Sequence, residues 1–380
     1  MILRAKWIVP VASPPIENGE VTVEGYQIVA VGPASGEGRD LGEVVLAPGL
    51  INAHCHLDYT DMLGQVPWRG RFVDWLLAIT ELKKQWTPEQ FRTSIQRGLQ
   101  QAIATGTTTM VNIECFPELI PATPLRVWWC PELIDLGRTE APPQIVAAAA
   151  GHEGLSPHAV YTASAALYRA CVAAGGLLTT HLAETTEEEE MFRWGRGPLY
   201  DRLQRLGRDM SDCRRTGPVE LARELGVLGP HCLAAHMNCL TRHEIEITCG
   251  TGTHVVHCPR THQFFRRERF PLEAYRQRGL NLCLGTDSLA SNSSLDMFAE
   301  MQEVARVFPQ LSAEDILAMA TVNAAEALNQ PDKLGKIAPG ATADLIAVPL
   351  DGPVVDPYEA VVFAEKPVCF SMIEGKVVLE

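Results

Sequence analysis

The sequence predicts a (β/α)8 TIM barrel over residues 48–335, with a small β-sandwich domain formed by both chain ends, residues 1–47 and 336–380. Three observations lead there. Short strand-like runs occupy both ends, apolar strands alternate with helical segments between them, and polar residues recur where those central strands stop. A chain of 380 residues has room for a barrel of about 250 residues and a smaller appendage. Its 46% hydrophobic and 21% charged residues are ordinary globular composition.

The first 47 residues hold the runs Val21-Thr-Val, Ile28-Val-Ala-Val and Val44-Val-Leu, broken by Gly and Pro and without a helical period. The last 45 repeat the texture in Asp344-Leu-Ile-Ala-Val348, Val361-Val-Phe and Val377-Val-Leu379, so the ends are expected to pair. Between them, strands are expected at 51–56, 107–111, 126–130, 177–181, 232–236, 253–257 and 282–287, with a weaker one ending near His158. One helix is well marked: Thr87 can cap it, Pro88 suits its first position, Gln90 completes a capping box, and Gly106 sits where a C-terminal glycine belongs. Phe91, Ile95 and Leu99 share its apolar face. Further helices are expected at 162–173, 218–225, 241–247 and 272–278, with two more after the last strand. Eight βα units close a barrel.

A formal net charge of −14 argues against nucleic acid as a partner, because phosphate binding needs clustered cations. Arg266-Arg267-Glu268-Arg269 is the one dense basic patch and reads as a solvated loop. No apolar stretch reaches the roughly 20 residues that span a bilayer, so a small-molecule substrate is expected rather than a membrane. Eleven cysteines without a C-x-x-C pair, and no secretory apolar segment after Met1, fit reduced thiols in the cytoplasm. Apolar surface beside Trp68, Phe72 and Trp75 would suit a homodimer contact.

The chemistry is suggested by His54, His56, His158, His181, His236, His257 and Asp287, all at or near predicted strand ends. In a barrel that end is the catalytic face. His54 and His56 are two apart on a strand, so both imidazoles can reach one cation. A structural zinc would favour a closed Cys/His cage with short spacing. Ligands dispersed over several strands and including a carboxylate suit an open, catalytic site.

The segment Ala47-Pro-Gly-Leu-Ile-Asn-Ala-His54-Cys-His56-Leu-Asp resembles the first-strand signature of the amidohydrolase superfamily. Ser156-Pro-His158-Ala-Val-Tyr-Thr, Thr180-His181-Leu-Ala-Glu184-Thr, Ala235-His236, His257-Cys-Pro and Leu284-Gly-Thr-Asp287-Ser resemble strands four to eight of its cytosine deaminase-like and chlorohydrolase-like branch, which includes S-adenosylhomocysteine deaminase-like aminohydrolases. Leu334-Gly-Lys-Ile-Ala-Pro-Gly-Ala-Thr-Ala-Asp-Leu-Ile resembles that branch's return into its β-sandwich. The resemblance implies metal ligands His54, His56, His181, His236 and Asp287, with His236 either a ligand or a contact to the nucleophilic water. Binuclear members bridge two metals through a carboxylated lysine on strand four. Here no lysine lies between Lys84 and Lys333, so one divalent metal is expected. Zinc fits a nitrogen-rich site, with iron(II) and manganese as alternatives.

The implied reaction is hydrolytic deamination of an aromatic N-heterocycle, a purine or an adenosine-like nucleoside such as S-adenosylhomocysteine, methylthioadenosine or aminofutalosine. Metal-activated hydroxide is the nucleophile, Asp287 the proton acceptor, Glu184 the donor to a ring nitrogen, and His236 the polarising group. His158, His257 and Ser288 are expected to contact substrate. Trp75 is expected in the pocket or in packing, and Arg260 would bind a substrate anion if it faces the site. The alternatives are a triazine-type chlorohydrolase or N-alkylaminohydrolase, which shares the metal signature, and a silent ligand-binding barrel. The segments 63–86 and 191–216 are the expected lids or pocket walls.

Overall fold

A computed structural model describes residues 1–380 apart from positions 137 and 139. The chain opens with β1 (Ile2–Ile8), β2 (Ile16–Glu24), β3 (Gln27–Pro33), β4 (Arg39–Asp40) and β5 (Val44–Pro48). The barrel strands follow: β6 (Leu50–His56), β7 (Thr107–Glu114), β8 (Arg126–Leu133), β9 (Gly154–Pro157), β10 (Leu177–Leu182), β11 (Cys232–His236), β12 (His254–His257), β13 (Leu282–Leu284) and β14 (Asp287–Ser288). The chain ends on β15 (Leu345–Pro349), β16 (Phe370–Ile373) and β17 (Lys376–Leu379).

The two ends share one sheet in the order β17-β16-β15-β5-β1-β2-β3, with β4 on β1. Its strands are mostly antiparallel, and β2 alternates buried and more exposed residues, as a half-covered sheet requires. Every residue of β6 and β7 is buried, the pattern of parallel strands covered on both faces. One expectation fails here: Val361-Val-Phe is not a strand. Val361 and Val362 lie in the helix Pro357–Val362, which Asp356 caps through the backbone N–H groups of Tyr358 and Glu359.

The second sheet is parallel and runs β13-β12-β11-β10-β9-β8-β7-β6-β14. Its two ends are halves of one interrupted eighth strand: β13 pairs with β12 and β14 with β6, which closes the ring. Gly285 lies in the break. A Cβ there would come within 2.8 Å of the His54 carbonyl oxygen, so only glycine lets the eighth strand press against the backbone of the first. Asn52 clamps the same junction, donating to Thr286 Oγ1 at 2.8 Å and accepting from the Thr286 N–H at 3.2 Å.

Ile51, Val111, Cys130, Leu233, Val256 and Cys283 belong to one buried apolar cluster. They come from strands on opposite sides of the ring, so the cluster fills the barrel interior. Ala53 belongs to it while its neighbour His54 belongs to the polar group above. The register of β6 on β7 slips between Asn52 and Cys55, which lets consecutive residues serve the two layers.

The helix Pro88–Ala104 has the expected capping box: Thr87 Oγ1 accepts from the Gln90 N–H, and Gln90 accepts from the Thr87 N–H at 2.9 Å. Strands β7 and β8 run farther than expected, to Glu114 and Leu133, which puts Glu114 and Glu132 at the catalytic end of the ring. Among the described residues no disulfide occurs and no helix is long and apolar enough to cross a membrane.

Candidate metal centre and its cavity

His54, His56, His181 and Asp287 each offer one ligand atom, and the four atoms lie within 4.8 Å of one another. All four residues are buried. His54 and His56 arrive on β6, His181 on β10, and Asp287 at the start of β14. His54 Nε2 is 3.6 Å and His56 Nε2 3.7 Å from Asp287 Oδ1, and the Nε2 atoms of His56 and His181 are 3.2 Å apart.

This donor set fits a cation. Both ring nitrogens of His54 and Nδ1 of His56 are buried without a protein partner, a costly arrangement for a group with nothing to bind. His181 Nδ1 lies 2.9 Å from the His158 carbonyl oxygen, which assigns its proton to Nδ1 and leaves the Nε2 lone pair facing the group. Burial, reinforced by the neighbouring histidines, holds the His56 pKa well below its usual value; burial also lowers that of His181. Both rings are therefore neutral and able to ligate. Burial alone would raise the Asp287 carboxyl, but the close-facing His54, with His236 and His56, outweighs it and holds the group well below its usual range. Ser291, absent from the sequence reading, donates to Asp287 Oδ2 at 3.1 Å.

His236 stands beside this group, with its ring 5.4 Å from that of His181 and 5.7 Å from that of His54. It is outside the set of four mutually close ligand atoms. Its φ is 74°, and that of Asp287 is 56°. Two non-glycine residues in the left-handed region at one site are the kind of strain that functional geometry stores.

A cavity of about 280 Å³ opens onto the group. His56, His181, His236, Asp287 and Ser288 line one side, joined by Glu184 and His158. Burial pushes the Glu184 pKa up to about 7, against the opposing pull of Arg267. Arg267 NH2 sits 3.5 Å from Glu184 Oε1, and its guanidinium lies over the rings of Phe265 and Phe72, 4.8 and 5.3 Å from their centroids. The basic run is thus not wholly solvated, because Arg267 is an interior counter-ion. The acidic run 187–190 is equally structural. Glu187 accepts the Phe72 and Val73 N–H groups at the start of the helix Phe72–Lys83, and Glu188, fully buried, accepts those of Ala183 and Glu184 at 3.2 and 2.8 Å.

The remaining expected contacts separate. Trp75 lines the cavity while packing on Phe72 and Phe265, and its Nε1 is buried without a partner. His257 does not line the cavity; it stacks on Phe270 with centroids 3.9 Å apart. Arg260 is turned away as well, donating to Ser293 and Ser294. Its guanidinium is spent on the turn before the helix Met297–Val307 and is not free for a substrate anion. Phe72 is buried, and Trp68, half-buried, packs on Phe265. Both expected wall segments contribute, through Phe72 to Lys83 and through Leu199 to Leu206.

Sequence reading missed a second polar wall. Lys83 Nζ contacts Tyr59 OH and donates to Cys115 Sγ at 3.3 Å; Cys115 Sγ donates to Glu132 Oε2 at 2.9 Å; Glu132 Oε1 is 3.8 Å from His158 Nε2. Ending the third strand at residue 130 hid Glu132. A strand extended by one further pleat would have placed it at the same barrel end as the histidines.

A family model described as the amidohydrolase family matches residues 45–378. A protein of Teredinibacter turnerae named 5-methylthioadenosine/S-adenosylhomocysteine deaminase is 30% identical over 96% of this chain and 88% of its own length. One of the same name from Nitratidesulfovibrio vulgaris is 31% identical over 90% of this chain and 82% of its own. Among solved structures, an adenosine deaminase from Xanthomonas campestris with bound zinc superposes with a TM-score of 0.83 at 25% identity, covering 100% of this chain and 92% of that one. An atrazine chlorohydrolase from Arthrobacter aurescens complexed with zinc superposes at 0.84 and 20% identity over 100% and 95%, a likeness of fold.

Proposed function

The chain belongs to the amidohydrolase family, and from that membership we propose that it is a mononuclear, metal-dependent aminohydrolase that deaminates a purine or adenosine-like nucleoside. The observation that carries this reading is a buried group of three histidines and one carboxylate opening onto the same cavity as Glu184. The relatives at 30% and 31% identity, named as deaminases of methylthioadenosine and S-adenosylhomocysteine, support the substrate class.

One divalent cation, zinc in this reading, would be held by His54, His56, His181 and Asp287 and would make hydroxide available near neutral pH. The chain's own residues do the rest. Asp287 is ionised at neutral pH and accepts the proton of the attacking water. Glu184, with its pKa near 7, gives a proton to the ring nitrogen beside the carbon that bears the amine. His236, kept neutral by burial, hydrogen-bonds the oxygen that adds. The proton held by Asp287 passes to the departing amine and the remaining hydroxyl proton of the adduct returns to Glu184, so substrate and water become the carbonyl product and ammonia. The apolar wall of Phe72, Trp75, Leu76 and Phe265 keeps bulk water from these transfers.

The test is ammonia release from methylthioadenosine, S-adenosylhomocysteine and adenosine, measured beside chloride release from chlorotriazines. Ammonia from the nucleosides alone is expected. Chloride release alone would favour the chlorohydrolase reading, to which the likeness at 20% identity contributes only a shared fold.

A further inference from the structure

A second cavity, of about 630 Å³, shares the Phe265 wall with the first. Its lining comes from the segments after β10, β11 and β12, through residues such as Thr186, Asn238 and Arg267, so it too lies at the catalytic end of the ring. Arg267 lines this cavity and not the first. Its side chain is 10% exposed, yet Nε and Nη2 are both buried without a hydrogen-bond partner. Glu184 Oε1, 3.5 Å from Nη2, forms an ion pair that supplies neither bond. A guanidinium is a rigid fork of N–H donors, and donors left unused in a low-dielectric site are costly until an acceptor arrives. Arg266 lines the same cavity, and among the described residues no ion pair or hydrogen bond reaches its side chain. The acids of the lining are mostly committed. Glu187 accepts the Phe72 and Val73 N–H groups and Glu189 faces Arg193 at 3.3 Å, which leaves the exposed Glu268 as the one without a partner among the described residues.

We propose that this second cavity is a phosphate site, separate from the substrate cavity, in which Arg267 and Arg266 bind inorganic phosphate or the phosphate group of a small metabolite. One guanidinium matches the two oxygens of a carboxylate in a fork. Two guanidiniums on consecutive residues, with the Thr185 and Thr186 hydroxyls and the Asn238 amide on the same lining, offer donors from more directions than a planar carboxylate presents oxygens. A tetrahedral phosphate carrying up to two charges fits that set. The guanidinium of Arg267 lies over the rings of Trp68, Phe72 and Phe265, so an anion bound to it meets this aromatic shelf and not the metal ligands. Because the same guanidinium faces Glu184, occupancy of the site is transmitted to turnover. That last link rests on the deaminase reading; the site itself rests on Arg267 and Arg266.

The test uses the zinc-loaded enzyme with inorganic phosphate and glycerol 3-phosphate as probes, against acetate and chloride at equal ionic strength. Calorimetry gives Kd for the wild type, Arg267→Met, Arg266→Gln and Glu268→Gln, and a crystal soaked in tungstate, a phosphate analogue, gives the position. Arg267→Met should weaken phosphate by roughly ten- to a hundredfold and Arg266→Gln by about threefold or more, the range of charge-assisted contacts. Glu268→Gln should tighten it. Arg266 and Glu268 are exposed, so their variants decide the matter even if Arg267→Met fails to fold. Tungstate should lie within hydrogen-bond reach of Arg267. Tungstate on the metal alone, or an unchanged Kd in both arginine variants, would overturn the site, and acetate binding as tightly as phosphate would overturn the choice of anion. Tighter binding of glycerol 3-phosphate than of inorganic phosphate identifies a carried phosphate, and the reverse the free ion. Saturating phosphate should change kcat for ammonia release and leave KM constant. A rise in KM at constant kcat, the mark of competition at the metal, would overturn the separation of the two cavities. Phosphate binding with these variant effects but no ammonia release from any nucleoside would uphold the site and refute the deaminase reading.

Discussion

Replacing Arg267 with Met should move the alkaline limb of the pH–rate profile upward. Glu184 must be protonated to give its proton to the ring, so activity falls as pH rises through its pKa, near 7 in the intact protein. Burial raises that pKa and the Arg267 charge lowers it. At 3.5 Å, with the two side chains 10% and 6% exposed, Coulomb's law at an effective dielectric of about 20 gives about 5 kcal/mol. Spreading the charge over the planar guanidinium reduces this toward the one to three pKa units commonly produced by a neighbouring opposite charge, or roughly 1.4–4 kcal/mol. The methionine keeps the packing on Phe265 and Phe72 and removes only the charge. The assay is kcat/KM for ammonia release between about pH 5 and 10. The descending limb should shift up by roughly one to three units, and Glu184→Gln should remove the limb with a loss of about 10²–10⁴ in rate. A limb that stays in place or moves down in Arg267→Met would refute the pairing of Arg267 with the catalytic proton.

Three further outcomes follow from the same geometry. Asp287→Asn keeps the volume of the side chain and its Ser291 contact, so thermal unfolding should change little while ammonia release is abolished; retained turnover would remove Asp287 from the mechanism. Glu188→Gln puts an amide donor against one of the Ala183 and Glu184 N–H groups, which bind separate carboxylate oxygens, so kcat should fall about tenfold or more with KM nearly constant, and a change confined to KM would contradict a role in holding Glu184. Gly285→Ala forces a methyl group to within 2.9 Å of His54 backbone and side-chain atoms; stability should drop by about 1–3 kcal/mol and metal content per chain should fall, whereas wild-type metal content would show that the close approach does not shape the site.

The parts of this protein that were legible in its sequence are those set by local chemistry. Thr87, Pro88 and Gln90 announce a helix start because a capping box is a contact among neighbours. His54 and His56 announce a shared ligand face because a strand repeats every two residues. Side chains whose destination is decided by distant elements were not legible. Arg267 sits in a run that looks like a surface patch, and only the aromatic shelf built by Phe72 and Phe265 turns it inward toward Glu184. Glu188 looks like one more acid in a solvated series until the left-handed backbone at Ala183 presents two N–H groups to it. His257 has the right strand-end position, yet Phe270 stacks on its ring. Arg260 is claimed by Ser293 and Ser294 across a turn that no periodicity reveals.

The most direct test of the central claim is a crystal structure of the zinc-loaded enzyme with anomalous scattering measured on either side of the zinc edge. One anomalous peak per chain is expected, with His54, His56, His181 and Asp287 as ligands at about 2.0–2.2 Å and Glu184 facing it across the cavity. Two peaks in the barrel, or a single peak held by other residues, would contradict the account.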